Sequence, residues 1–346
     1  MPRDFRPSPT DAAPPDPGDD GGRGRRGLSP RVLAVVIAVQ VVLIGAIVAL
    51  AVGGLPFGGD DHGGGPTSAT AATARAVPAG SVPRATVDRF DGARALRLAQ
   101  LQVDAGPRPA GSSTLRRVAE KLRARLPNGR FEDVPGHPGL RNIVGDLAGP
   151  GPVIVVGAHY DTINRPKGFV GANDSAAAVG AVLELARVLQ RTPRGAGAPG
   201  IRFVLFDGEE EPAPTDDFYR DALRGSKAYV QLHAEEVRAM VLLDYIGNKG
   251  VRLPREGTST QSLWDRVRAA AGAVGVQAVF PAKTQVAIFD DHTPFLRAGI
   301  PAVDLIDWGY RYRHKLSDTL DKLSADSIDA VGETMVQLLR TWAAGG

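Results

Sequence analysis

Apolar and polar positions divide the 346-residue chain into two unlike parts. Residues 1–30, rich in Pro, Gly, Asp and Arg, show no apolar period and predict a disordered cytoplasmic tail. The run Val32–Val52 follows, 21 residues interrupted among polar types by Gln40 alone. At about 1.5 Å per residue it would span roughly 30 Å, which predicts a helix crossing a bilayer core. Residues 53–84 are dominated by Gly, Ala, Thr and Pro and predict a flexible tether.

From residue 85 to 346 the pattern is that of one folded domain. Short apolar runs bounded by turn residues occur at PVIVVG (152–157), IRFVLF (201–206), AMVLL (239–243) and PAVDLI (301–306). Such runs suit buried, largely parallel strands. Between them apolar residues recur at helical spacing, as at Val179, Val182, Leu183, Ala186 and Leu189. A last helix is marked by Ile328, Val331, Met335, Leu338, Leu339 and Trp342, with Ser324 placed to cap it. This order predicts an α/β three-layer sandwich, a mostly parallel central sheet flanked by helices, preceded by one transmembrane helix.

Charge refines the picture of the amino-terminal part. Arg23, Arg25, Arg26 and Arg31 precede the apolar run, and no Lys or Arg follows it until Arg75. The positive-inside rule then keeps the amino terminus cytoplasmic and exports the rest, as a single-pass protein of the cell membrane. A cleaved leader is the competing reading, because Ala49-Leu50-Ala51 fits a small-x-small cleavage pattern and would yield a secreted form. Net charge is +3 and the folded region holds no dense Lys/Arg block, so nucleic acid is not an expected partner. The chain has no cysteine, which removes disulfides, thiolate metal sites and cysteine nucleophiles. A zinc ion would need His and carboxylate ligands, the donor set of catalytic sites.

Those residue types stand where the predicted strands end. VIVVGA runs into His159-Tyr160-Asp161, FVLFDG into Glu209-Glu210, and MVLL into Asp244. Asn173-Asp174 precede the helix that starts near Ser175, and His314 lies in the loop after AVDLID. In open α/β sheets ligands bind beyond the carboxyl ends of the strands, so these loops converge. Asp174, Glu210 and His314 supply three ligands for one zinc with a position left open. His159 and Asp244 can complete a second site that shares Asp174 as a bridge. Asp161 is placed to orient the His159 imidazole, and Glu209, beside a ligand, to act as general base.

The segments GPRPAGS (106–112), NIVGDL (142–147), GAHYDT (157–162), GANDSAAAVGAVLELAR (171–187), FDGEE (206–210), LLDYIG (242–247), DDHTPFLRAGIPA (290–302) and HKLSDTLDKLS (314–324) resemble metallopeptidase family 28. That family contains two-zinc aminopeptidases and, on the same fold, animal-type glutaminyl cyclases. The resemblance implies peptide or protein N-termini as substrates. It also implies the same zinc ligands, Glu209 as base, and a cis peptide at Asp174–Ser175. Cyclases use one zinc, aminopeptidases two.

Three features resemble the cyclases. The loop and helix FVGANDSAAAVGAVLELAR match their version. Fourteen residues, EPAPTDDFYRDALR, separate Glu210 from Gly225-Ser226, a length similar to the cyclase pocket loop. Asp290 stands where aminopeptidases carry Ser, and in cyclases it joins the equivalents of Glu209 and Asp244 in a carboxyl cluster that shares a proton. Two features depart from them: cyclase tryptophans are replaced by Thr215 and Arg313, although Trp308 and Tyr310 lie close by in sequence. The leading expectation is a glutaminyl-peptide cyclotransferase, the alternative a zinc aminopeptidase, and the non-enzymatic reading a membrane-tethered binding module.

Overall fold

The computed structural model describes residues 81–342; the disordered tail, the membrane helix at 32–52 and most of the tether expected from the sequence lie outside the described residues. Among the described residues no helix is long and apolar enough to cross a membrane. Val82 and Ala85 pack against the main core, ahead of the first helix.

Helix α1 (Gly92–Val103) is capped by Asp91, whose side chain accepts the Arg94 N–H at 2.7 Å. Ser112 caps α2 (Ser113–Arg123) in the same way through the Leu115 N–H. The sheet then forms from β1 (Arg130–Asp133), β2 (Arg141–Leu147), β3 (Val153–His159), β4 (Ile201–Phe206), β5 (Val237–Asp244) and β6 (Ala302–Ile306). Helices α3 (Ala177–Leu189), α4 (Arg224–His233), α5 (Gln261–Ala273) and α6 (Ala325–Arg340) complete the framework. Ser324 caps α6 as its position in the sequence suggested.

Strand order is β1-β2-β4-β3-β5-β6. The four strands expected from the sequence form the parallel part, β4-β3-β5-β6. β2 adds antiparallel to β4, and β1 antiparallel to β2, so the sheet is mixed, with parallel pairing confined to β4-β3-β5-β6. The apolar pattern missed this edge because β1 and β2 carry Arg130, Glu132, Asp133, Arg141, Asn142 and Asp146.

Helices cover both faces. On one, α1, α2, α3, α5 and α6 pack against Ile143, Ile154, Val156, Phe203, Leu205, Val241 and Val303. On the other, Tyr229 of α4 and Phe295 of a short helix at Thr293–Arg297 pack on Val144, Val155, Val204, Met240 and Leu242. Alternation of side chains along each strand sends neighbours to opposite faces. α3 is buried on nearly every side, which explains its Ala-rich sequence. At Gly180 a Cβ would lie 2.3 Å from the Ala95 carbonyl oxygen, so this glycine lets α1 and α3 approach closely. Glu184, buried in α3, is neutralised by Arg94 at 3.0 Å and Arg187 at 2.8 Å.

The chain leaves β3 for β4 on one side and then crosses to β5 on the other, which makes the end of β3 a topological switch point. In register, His159 pairs with Phe206 and Asp244 with Ile306, so the carboxyl ends of the parallel strands open onto one place.

Candidate metal centre and acid cluster

The segment Ala172–Ala176 departs from helical geometry at Asp174 and Ser175, and the Asp174–Ser175 peptide is cis. The loop is fixed from three sides. Arg108, fully buried, donates from Nη1 to the Val170 carbonyl at 2.9 Å and from Nη2 to that of Gly171 at 3.4 Å. Asp318 accepts the N–H groups of Asn173 and Asp174 at 3.0 and 3.2 Å, and itself receives the Tyr310 hydroxyl at 2.6 Å. The Tyr245 hydroxyl donates to Asp174 Oδ2 at 3.1 Å.

Around Asp174 the sequence-predicted residues assemble in two trios, Asp174–Glu210–His314 and His159–Asp174–Asp244. In each, the candidate ligand atoms lie within 4.8 Å of one another. His314 Nε2 is 3.4 Å from Asp174 Oδ2 and 3.8 Å from Glu210 Oε1. His159 Nε2 is 3.3 Å from Asp174 Oδ1 and 3.7 Å from Asp244 Oδ1. Tyr245 and His314 both hold positive φ, 43° and 53°, a conformation non-glycine residues adopt only where surroundings enforce it.

Asp161 stands 3.6 Å from His159 Nδ1, and its carboxylate also accepts the backbone N–H groups of Glu209 and Glu210 at 3.2 and 3.3 Å. It therefore sets the two glutamates as well as facing the imidazole. Glu209 Oε2 is 3.9 Å from His159 Nδ1.

Electrostatics follow from burying this many acids together. Burial opposes charge on His159, yet the carboxylates of Asp161, Asp174 and Asp244 outweigh it and hold its pKa well above the ordinary value. Burial raises Asp244 to about 7 despite His159. Glu210 is pushed up by burial and by Asp174, whereas Asp174 is held below the usual range, burial being outweighed by His159, His314 and Tyr245. Burial drives Glu209 well above the usual carboxylate range; His159 counters it, and Glu210 and Asp290 add to it.

Asp290 closes the acid cluster. Its Oδ1 accepts the Asp291 N–H at 2.6 Å, a local turn contact, and burial raises its carboxyl above the usual range although His292 and His159 counter it. Neither Asp304 oxygen has a hydrogen-bond partner, and burial together with the neighbouring Asp290 drives the Asp304 carboxyl well above the usual range. Behind them His292 Nδ1 lies 3.9 Å from Asp304, and His292 Nε2 3.1 Å from Glu256.

The residues suit zinc. The donor set is imidazole nitrogen and carboxylate oxygen, and Glu210 Oε1 is buried with no hydrogen-bond partner, an acceptor aimed at His314 and Asp174. The cavity above them is lined by Glu209, Phe218, Phe289, Asp290, Trp308 and Arg313 as well as the ligands. Of the two aromatics flagged in the sequence, Trp308 faces this cavity, while Tyr310 packs inward against Tyr245. Thr215 donates to Asp221 within its own loop and does not line the cavity.

Residues 142–339 match Peptidase family M28. The chain belongs to this family. Family M28 members are zinc-dependent, in keeping with the donor set. Among its relatives is the glutaminyl-peptide cyclotransferase of Bothrops jararaca, 28% identical over 219 residues, 53% of this chain and 60% of that one. The present chain thus spans less than two thirds of that relative's length. Among solved structures, the glutaminyl cyclase of Porphyromonas gingivalis superposes with a TM-score of 0.64 at 28% identity, covering 73% of this chain and 99% of that one. A leucine aminopeptidase precursor from Bacteroides thetaiotaomicron gives 0.65 at 26% identity, covering 74% and 99%. These M28 relatives are enzymes.

Sequence reasoning passed over Asp304, Tyr245 and Asp318 in this M28 site. The signal for Asp304 was present: an acid in the middle of the otherwise apolar run PAVDLI. A charge in a buried strand needs a partner.

Proposed function

We propose that the chain is a zinc-dependent glutaminyl-peptide cyclotransferase, converting N-terminal glutamine to pyroglutamate with loss of ammonia. The observation that carries this reading is the acid cluster, in which Asp290 is buried in one cavity with Glu209 and Asp244 and raises the proton affinity of both. Cyclisation needs a proton moved rather than a water activated. The α-amine nitrogen attacks its own side-chain amide carbon, the ring C–N bond forms, and the bond to the departing NH2 breaks. Glu209 takes the proton the amine loses and returns it to the leaving nitrogen, which departs as ammonia. A carboxyl raised by burial beside other acids suits a group that must both accept and release a proton. Zinc, when held by Asp174, Glu210 and His314, supplies Lewis acidity toward the amide oxygen.

The loop between Glu210 and Gly225 supports the same reading. Leu223 N–H returns to the Glu209 carbonyl and Arg224 N–H to that of Gly208, both at 2.9 Å, which closes the loop and leaves Phe218 as a wall of the cavity.

A second reading, a zinc aminopeptidase, is favoured by one observation: His159, Asp174 and Asp244 form a complete second trio. Zinc titration against turnover separates the two. The expected outcome is full activity at one zinc per chain, with no gain from further metal. Activity that appears only at two tightly bound zincs would replace the cyclotransferase by the aminopeptidase.

A further inference from the structure

The cavity over the metal centre is strongly acidic at its floor, with Glu209, Glu210, Asp244 and Asp290 all buried. Its mouth is different. Phe289, half exposed, lines it, as does Arg313, immediately before His314 in the chain. Among the described residues Arg313 is the one cavity-lining side chain of fixed positive charge. Its guanidinium stacks 3.7 Å from the Trp308 ring centroid. Among the described residues it forms no ion pair, and its buried Nη1 has no hydrogen-bond partner. Arg311 and Lys315 of the same loop likewise have no ion pair there; Arg311 meets the Tyr312 hydroxyl and Lys315 a backbone carbonyl. The acids of the facing loop are already engaged, Asp221 with Arg220 and Glu211 with Arg165.

A stacked guanidinium keeps its face covered and its edge donors free in a fixed plane, the arrangement that reads a carboxylate. The buried unpaired Nη1 marks the place where an acceptor is missing. We infer that Arg313, held by Trp308, is a specificity-determining residue that binds a carboxylate one residue beyond the substrate's N-terminal residue. This inference rests on the reading of the cavity as a site for peptide N-termini. The N-terminal residue occupies the floor with Glu209 and the zinc ligands, and the second residue leaves past Arg313 and Trp308. The carboxylate has two sources, the C-terminus of a dipeptide or an acidic side chain at the second position.

Four peptides separate these sources: Gln-Ala, Gln-Ala-amide, Gln-Glu-amide and Gln-Gln-amide, turned over by the zinc-loaded chain. A peptide whose carboxylate reaches Arg313 is expected to exceed its neutral counterpart about tenfold in kcat/KM, carried mainly by KM. An advantage of Gln-Ala assigns the terminal carboxylate, and an advantage of Gln-Glu-amide the side chain. In Arg313→Gln the advantage, measured within the variant, should vanish; in Arg313→Lys, which keeps charge without the plane, part of it should remain. Ratios within twofold in the unmodified chain, or an advantage that survives Arg313→Gln, overturn the inference. Calorimetric Kd values for the four peptides on the zinc-loaded Glu209→Gln variant read the preference without turnover. Failure to form pyroglutamate therefore removes the cyclotransferase reading, while equal Kd values remove the role of Arg313.

Discussion

Glu209 shows how a side chain gains a role from its neighbours. Its backbone is pinned by Asp161, and burial with Glu210 and Asp290 raises its proton affinity. In neither trio is it a ligand, so its chemistry and the metal are separable. Glu209→Gln should therefore lower kcat by roughly 10²–10⁴ while zinc content, read by atomic absorption, stays unchanged. Turnover within twofold of the parent would remove Glu209 as the base. The candidate ligands were legible because His, Asp and Glu followed apolar strand runs in one loop after another. Asp304 and Tyr245 were not, since their meaning depends on what a fold places beside them. Tyr245 matters through Asp174, 71 positions earlier in the chain.

Secondary elements decide whether the ligands meet. The turn that presents Asp174 begins at Gly171, φ 53°, where a Cβ would lie 1.9 Å from the Asp174 carbonyl oxygen. Gly171→Ala is expected to weaken zinc binding by about tenfold or more and to cost roughly 1–3 kcal/mol of stability, as a side chain forced into a strained, occupied position does. Gly136→Ala is the control, since Gly136 also has positive φ but nothing within 4 Å of its Cβ position. Competition with a chelator and thermal unfolding of both variants measure this; equal losses would mean that backbone strain alone, not the clash, is being read. The four parallel strands and the capped α6 were legible from period and turn residues. The antiparallel edge was not, because a strand with one wetted side and several charges looks like loop.

At the scale of the whole molecule, the switch point at β3 brings residues from six separate stretches of chain to one acidic cavity. Membership of family M28 fixes the kind of centre, and its relatives include both cyclotransferases and aminopeptidases. The acid cluster and the 14-residue loop after Glu210 distinguish the reaction proposed for this chain. The most direct measurement is the product formed when the zinc-loaded chain meets a Gln-initiated peptide beside the same peptide starting with Leu. The proposed cyclotransferase gives pyroglutamyl peptide and ammonia from the first and no reaction with the second. Release of free glutamine or leucine with a shortened peptide would contradict it.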